Sequence, residues 1–315
     1  MKQLIGYLKR FYQEEFDLRY TLIILSYFAL LLYINFGDTY FNSRKALWRW
    51  QETSWLFYFL TYASALIPAL LFYAFLKEKS GFLKNKKLWL LCLFGLAIFA
   101  SRNSWYYYLS QHFAFSWDKS SVEAESTFRI FFALSKSAIG FVPIFIYWYL
   151  ADRSTQPFYG MQRKQLNLKP YFVLLLLLIP FVAIASQDAS FLRKYPRVLV
   201  IDTIEIFNPS MAKWILAYEA LYILDFYIIE LFFRGFMILA FIKIGGPKII
   251  LPVALFYFSI HFNKPFPEAL SSFFGGTILG IITYYSRSIW GGIIIHMGIA
   301  AVMEIGAYIG HWLQK

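Results

Sequence analysis

Five ionisable side chains lie in the apolar C-terminal third of the sequence: Asp225, Glu230, Arg234, His261 and His296. At bilayer depth such a side chain costs about 2.5–3.5 kcal/mol on insertion scales, so it usually faces the interior of a helix bundle or pairs with another. A carboxylate and two imidazoles can polarise a water molecule for hydrolysis. They can also bind zinc, although the sequence has no HExxH pattern. The five residues therefore predict a polar site within a membrane.

Glu230 and Arg234 stand four residues apart in IELFFRG (229–235), so a helix would place them on one face. Arg234 can form a purely structural ion pair with Glu230. Alternatively, the pair can form one wall of a polar cavity in which Arg234 keeps the carboxylate ionised. A lone buried histidine is usually a packing residue, but here two histidines and Glu230 occupy three separate apolar stretches. This combination favours a shared site.

The composition is that of an integral membrane protein. Of the 315 residues, 59% are hydrophobic and only 15% are charged, against about 45–50% and 25% in soluble proteins. The net charge of +12 is concentrated in short loops between apolar stretches, which membrane topology explains without a nucleic-acid partner. Cys92 is the one cysteine, so neither an intramolecular disulfide nor a cysteine metal cluster is expected.

A membrane-spanning helix needs about 20 mostly apolar residues. The sequence therefore predicts an all-α fold, a polytopic membrane helix bundle of about eight or nine transmembrane helices. The candidate spans are 21–36, 54–76, 88–101, 127–150, 171–186, 211–243, 249–262, 268–286 and 289–312. The residues before 30 could include an amphipathic helix at the membrane surface. Loops 102–126 and 187–210 are expected to be surface lids or plain connectors.

Loop charge predicts the orientation. The stretch 77–87 carries five lysines and one glutamate, and 151–170 carries four basic residues. Two spans separate these loops, so both can face the cytoplasm, as the positive-inside rule requires. The N-terminus, which is also basic, would then be cytoplasmic in a multi-pass protein of the plasma (inner) membrane. The basic residues of loop 37–53 argue against this orientation.

The polar residues resemble a known pattern, that of the CPBP, or Abi, family of intramembrane proteases, which includes the type II CAAX prenyl endopeptidases. The family pattern is EExxxR on one helix, FxxxH on the next, and HxxxN or HxxxD on a later one. This sequence has IELFFRG at 229–235, YFSIH at 257–261 and HMGIA at 296–300. The resemblance covers about residues 215–305. It implies a protease-like core within 211–315, preceded by a transmembrane region, 1–210, of unknown role.

The sequence departs from this pattern at three positions. Ile229 stands where the family has the first glutamate, the proposed general base, and Ala300 stands where an asparagine helps form the oxyanion hole. Tyr257 replaces a phenylalanine, which is a mild change. Asp225 lies one turn before Ile229 and only about 40° from it around the helix. It could therefore supply a carboxylate to the same face.

Three functions are compatible with these residues. The first is an intramembrane endopeptidase in which Glu230 and His261 activate water and His296 stabilises the oxyanion, with Arg234 and Asp225 in support. Its substrate would be a membrane-anchored or prenyl-like peptide in a lipid environment. No cofactor is expected, or alternatively zinc bound by Glu230, His261 and His296. The second is a pseudoprotease that binds or scaffolds membrane partners, and the third is a transporter or channel.

Overall fold

A computed structural model describes residues 2–36, 55–76, 80–112, 121–162, 167–262 and 264–314. All the regular structure in these ranges is helical, which confirms the predicted all-α fold. The α-helices are α1 (Lys2–Glu14), α2 (Leu18–Phe36), α3 (Trp55–Leu76), α4 (Ser80–Leu83), α5 (Lys86–His112), α6 (Val122–Tyr147), α7 (Lys169–Ala185), α8 (Ala189–Leu192), α9 (Ala212–Glu230), α10 (Ile242–Gly245), α11 (Ile250–Ser259), α12 (Phe266–Ser286) and α13 (Trp290–Leu313). Two π-helical segments, Trp148–Asp152 and Leu231–Ala240, directly follow α6 and α9. Short 3₁₀ turns lie at Arg197–Val200, Pro209–Met211 and Gly246–Ile249.

Within the described ranges, seven helical segments are long and apolar enough to cross a membrane. They are Leu18–Phe36, Trp55–Leu76, Lys86–Ser110, Val122–Asp152, Ile242–Ser259, Phe266–Ser286 and Trp290–Leu313. The other two predicted spans differ. The apolar helix Lys169–Ala185 is shorter, with 17 residues, and 211–243 is divided between α9 and the π-helical segment that follows it. A polytopic helix bundle is confirmed.

The prediction of a loop at 102–126 is wrong at both ends, because α5 continues to His112 and α6 begins at Val122. Polar side chains in this extension have partners within the fold. Asn103 donates to the Tyr62 hydroxyl, and the Trp105 indole N–H donates to Ser135 Oγ at 2.7 Å. These contacts stabilise a helical extension that hydropathy alone does not predict. The expected loop 37–53 lies outside the described residues.

The connector 187–210 is folded against helices. The buried carboxylate of Glu219 accepts the backbone N–H of Val198 at 2.9 Å, and that of Glu304 accepts the N–H of Arg197 at 2.7 Å. Glu125 accepts the Thr203 hydroxyl at 2.9 Å. Because buried backbone donors need acceptors, these carboxylates fix the path of a connector that has little regular structure. Whether it also acts as a lid stays a prediction.

The chain forms two compact units. The first contains residues 1–104, 143–166 and 231–289. Its core places α11 against α3 and α12, with Phe28 of α2 packed on Phe258 and Phe273. Helix α1 lies on α12, where Tyr7 stacks on Tyr285. The placement of α1 at a membrane surface stays a prediction.

The second unit contains residues 105–142, 167–230 and 290–315. Helix α13 packs against α7 and α9 in this unit. Glycines permit the close approach to α7, since a Cβ at Gly291 would lie 2.0 Å from the Tyr171 ring and one at Gly298 would lie 2.4 Å from Leu175. The predicted division into 1–210 and 211–315 stays a prediction.

Candidate functional site

The central pair of the candidate site is Glu230 and His296, both in the second unit. Glu230 is the last residue of α9 and its side chain is 0% exposed, while His296 lies in the second turn of α13. His296 Nδ1 is 2.8 Å from Glu230 Oε1. When Glu230 is ionised its carboxylate only accepts hydrogen bonds, and the bonded imidazole then carries a proton on Nδ1. Glu230 therefore fixes both the orientation of the ring and the nitrogen, Nε2, that remains for chemistry.

Two further residues shape the surroundings of this pair. A Cβ built on Gly292 would lie 2.1 Å from Glu230 Oε2 and 3.0 Å from its Cδ. Only a glycine at this position leaves room for the carboxylate. The ring of Phe226 lies 4.4 Å from the His296 ring, centroid to centroid. Neither residue was predicted from the sequence. A signal for Gly292 is present, because the glycine pair of SIWGGIIIH lies one turn before His296 on the same helix face, where another side chain can approach the helix closely.

Arg234, Tyr257 and His261 form a second group, in the first unit. The Arg234 side chain is 1% exposed and its Cζ lies 4.4 Å from the centroid of the Tyr257 ring. A buried guanidinium over an aromatic face is stabilised by the negative face of the ring. This contact uses only the aromatic ring, which tyrosine and phenylalanine share.

His261 lies in the turn after α11 and contacts the same tyrosine. Its Nδ1 is 2.8 Å from the Tyr257 carbonyl oxygen, and the two rings meet edge to face at 4.8 Å. A carbonyl oxygen can only accept, so Nδ1 donates and Nε2 is the acceptor nitrogen of the neutral ring. In both histidines a local acceptor thus selects the tautomer with its lone pair on Nε2.

The backbone changes its helical form in the middle of IELFFRG. The α-helix ends at Glu230 and the π-helical segment begins at Leu231, so Arg234 lies in the π-helical part. All ten residues of this segment, Leu231–Ala240, are buried. π-Helical segments are rare and occur frequently at functional sites. The sequence pattern predicts a helix here but carries no signal for the change of form.

Asp225 is held by two side chains of α6. Its Oδ2 accepts from Lys136 Nζ at 3.0 Å, and its Oδ1 accepts from Ser137 Oγ at 3.2 Å. The charged side chains are only 25% (Lys136) and 16% (Asp225) exposed. Lys136 was not predicted as a partner from the sequence, because 89 residues separate the two. A supporting role for Asp225 in chemistry stays a prediction.

Ile229 and Ala300, two of the three positions that depart from the family pattern, are buried and have apolar side chains. Ile229 is 8% exposed and Ala300 is 2% exposed. Ala300 lies one helical turn after His296, on the same face of α13. Neither residue can exchange a proton or donate a hydrogen bond from its side chain.

Over the ranges that the structure describes, no three His, Cys, Asp or Glu side chains are grouped as a metal site requires. The Nδ1 atoms of His261 and His296 are hydrogen-bonded to protein oxygens, an arrangement that leaves each Nε2 as the possible ligand atom. Zinc binding by these histidines and Glu230 stays a prediction, which metal analysis of the purified protein can test.

Comparison with known proteins bears on the same segment. A family model described as "Type II CAAX prenyl endopeptidase Rce1-like" matches residues 211–302. The match confirms the similarity to the CPBP and CAAX-protease family that the motifs predict. It covers less than a third of the 315 residues. No curated protein and no solved structure matches the chain. Together with the seven apolar helices, the family match indicates an integral, multi-pass membrane protein.

Proposed function

We propose that the protein is an intramembrane endopeptidase of the CAAX-protease type. The observation that carries this proposal is the contact between Glu230 and His296, a fully buried carboxylate hydrogen-bonded to an imidazole, within the segment that matches the family. Isolating a carboxylate and an imidazole in an apolar helix bundle is costly. Structural packing alone can be achieved with apolar residues, so the pair favours a chemical role.

In this mechanism Glu230 takes a proton from a water molecule. A carboxylate offers about four lone-pair sites on two oxygens, so Oε2 can accept the proton while Oε1 holds His296. The water oxygen bonds to the peptide carbonyl carbon, and a tetrahedral oxyanion forms. The proton then passes to the leaving nitrogen as the C–N bond breaks. No acyl-enzyme is formed.

The two histidines have different roles in the proposal. His296 enters the reaction protonated, donates from Nε2 to the oxyanion and keeps its proton throughout. The Glu230 carboxylate balances its positive charge until Glu230 takes the water proton, and the oxyanion balances it afterwards. His261 assists the activation of water through Nε2, a role supported by its position in the FxxxH-like motif and by the tautomer that the Tyr257 carbonyl selects. Arg234 is a positioning residue of the same family motif.

The substrate class follows from the setting. In the proposal a membrane-anchored or prenyl-like peptide enters the site from the lipid. The apolar helices around the site and the family description, which names prenyl endopeptidases, support this substrate class. The loop charges support a cytoplasmic N-terminus in the plasma (inner) membrane. Both statements are part of the proposal.

A pseudoprotease is the second candidate, and Ile229 and Ala300 favour it. Losing one oxyanion-hole donor costs about 10²–10³ in rate in a protease of known mechanism. In a chain that lacks this donor and the first glutamate, Glu230, His261 and His296 would serve binding alone. In that case His261→Ala would leave partner binding intact.

A reconstituted assay separates the two candidates. Purified protein in liposomes is incubated with a prenylated peptide ending in a CAAX sequence, and products are identified by mass spectrometry. The peptidase predicts a product that is lost with Glu230→Gln, His261→Ala and His296→Ala. His311→Ala is the matched control, because His311 is also in α13 but binds the carbonyl oxygens of Leu192 and Tyr195. A product that survives all three substitutions would rule out these residues as the catalytic groups.

A further inference from the structure

The first unit contains a basic cavity that is separate from the residues assigned to peptide hydrolysis. Its volume is about 420 Å³. It lies where the start of α5, the turns after the Trp148–Asp152 segment, α10 and the end of α12 meet. Three cations line it, Lys87, Lys243 and Arg287, against a single carboxylate, Asp152. The cavity therefore carries an excess of positive charge.

Asp152 offsets only part of this charge. Its carboxylate is buried and accepts the Tyr159 hydroxyl at 2.8 Å and the Gln156 amide at 3.2 Å, with Lys87 Nζ at 3.6 Å. Burial, aided by this neighbouring carboxylate, raises the pKa of Tyr159, so the hydroxyl keeps its proton and goes on donating. Within the described ranges, neither Lys243 nor Arg287 has a carboxylate within ion-pair distance.

The backbone holds the wall of the cavity in place. Ile289 N–H donates to the Gly160 carbonyl at 3.1 Å, which ties the turn after residue 152 to the end of α12. Gly160 has φ +77°, and a Cβ there would lie 2.8 Å from Leu239 Cδ1. Arg287 ends α12 in the left-handed conformation, φ 56°, with its N–H bonded to the Thr283 carbonyl. These contacts fix the backbone of Arg287, and its Cζ lies 5.0 Å from the centroid of the Tyr284 ring.

The rest of the lining is apolar. Leu239, Ile242 and Ile244 contribute to the wall, while the side chains of Lys87, Lys243 and Arg287 are exposed to the exterior. All three cations lie at or next to the ends of candidate membrane spans. A cavity with cations at its opening and aliphatic side chains beside them matches an amphiphile that has an anionic head group.

We propose that this cavity binds a phosphate-bearing anion, supplied either by an anionic phospholipid head group or by a free phosphate compound. A guanidinium binds phosphate oxygens through two parallel N–H bonds, and lysines add point charges. Basic pockets between transmembrane helices can bind the head groups of anionic phospholipids. The site is distinct from the proposed peptidase residues and requires no peptide hydrolysis.

The test is ligand-dependent stabilisation of the full-length protein in a neutral detergent. A ligand that binds the folded state raises the thermal unfolding midpoint with its concentration. The probes are dioctanoyl phosphatidylglycerol, dioctanoyl phosphatidylcholine and inorganic phosphate. The variants are Lys243→Gln, Arg287→Gln and their combination. Lys84→Gln is the matched control, because Lys84 is exposed in the same unit and does not line the cavity.

We expect phosphatidylglycerol to stabilise the wild type and phosphatidylcholine to have little effect. Each cation removed should weaken phosphatidylglycerol binding about fivefold, and the double variant about 25-fold. Lys84→Gln should behave as the wild type. Stabilisation by inorganic phosphate to the same extent would identify a soluble phosphate compound as the source, whereas a response to phosphatidylglycerol alone would identify the lipid.

Equal stabilisation by the two lipids would overturn the proposal, as would a double variant that responds to phosphatidylglycerol like the wild type. If the double variant does not fold, the phosphatidylglycerol responses of the two single variants and the salt dependence of the wild-type response test the proposal instead. Raising salt from about 0.1 M to about 1 M shortens the Debye length from about 10 Å to about 3 Å. A wild-type response to phosphatidylglycerol that is unchanged by this salt would contradict binding through Lys243 and Arg287.

Discussion

His296 Nδ1 lies 2.8 Å from Glu230 Oε1, although 66 residues separate the two in the sequence. The contact joins the end of α9 to the second turn of α13. Through this contact the fully buried carboxylate of Glu230 has a hydrogen-bond partner, the imidazole of His296. The proposed chemistry depends on this relationship, because it orients the imidazole and selects the nitrogen that faces the reaction.

The first prediction concerns the space that Gly292 provides. Gly292→Ala places a Cβ 2.1 Å from Glu230 Oε2, so the carboxylate must move and the contact with His296 is strained. We expect a loss of about 1–3 kcal/mol in unfolding free energy, as for other overpacked cores, and a loss of peptidase activity. Unfolding in detergent and the liposome assay measure the two effects.

Gly275→Ala is the matched control for this substitution. It is also a glycine-to-alanine change within a helix, but the added Cβ would meet nothing within 4 Å beyond its chain neighbours and the backbone of its own helix. Since alanine is the better helix former, by about 1 kcal/mol, Gly275→Ala should keep or raise stability. Equal stability and equal peptidase activity of Gly292→Ala and Gly275→Ala would show that neither property requires the space beside Glu230.

The second prediction is energetic coupling between Glu230 and His296. In a double-mutant cycle with Glu230→Gln and His296→Ala, the two substitutions should be non-additive in unfolding free energy by about 0.5–3 kcal/mol, as for residues in contact. The control cycle pairs Glu230→Gln with His311→Ala. His311 lies 15 residues further along α13, about 22 Å by helical rise, and should give additive effects. Additivity in both cycles would mean that the hydrogen bond between Glu230 and His296 does not contribute to the free energy of unfolding.

The sequence predicted the all-α fold, the membrane character and the residues of the family motifs, because these depend on hydropathy and on short local patterns. It did not predict the role of Gly292, since a glycine in a membrane helix is common and only the three-dimensional approach of Glu230 explains it. Nor did it predict the partnership of Asp225 with Lys136. The pairing of residues 89 positions apart depends on how the helices pack.

The helical form of 231–240 illustrates a second limit. Apolar side chains favour a helix in this stretch, but α- and π-helical hydrogen bonding use the same residues and differ only in the acceptor chosen by each N–H. Likewise, α5 extends to His112 because Asn103 and Trp105 find partners elsewhere in the fold. Hydropathy contains no information about such partners.

The third prediction separates a structural from a chemical role for Asp225. Lys136→Met removes the charge partner of a mostly buried carboxylate, so it should cost about 1–3 kcal/mol of unfolding free energy. Adding Asp225→Asn should recover part of this loss, because the uncompensated charge is removed. These variants are compared by denaturation in detergent.

Asp225→Asn alone provides the contrasting result. If the ion pair with Lys136 is its whole role, activity should fall only as far as stability falls. Loss of product formation in a variant that unfolds like the wild type would assign the carboxylate a part in the chemistry.

The fourth prediction concerns metal removal. Because no described group of His, Cys, Asp or Glu side chains suits a metal ion, treatment with a chelator should leave both the unfolding midpoint and product formation unchanged. Metal content of the purified protein is measured in parallel. Stoichiometric zinc, together with activity that a chelator abolishes and added zinc restores, would establish the metal-dependent alternative.

The most direct test of the central claim compares newly formed protein termini in membranes from cells that carry the wild-type chain, His261→Ala or Glu230→Gln at equal expression. The proposed peptidase predicts a set of termini that is present with the wild type and absent with both variants. An identical set of termini in all three samples would contradict hydrolysis by these residues and favour a binding or scaffold role.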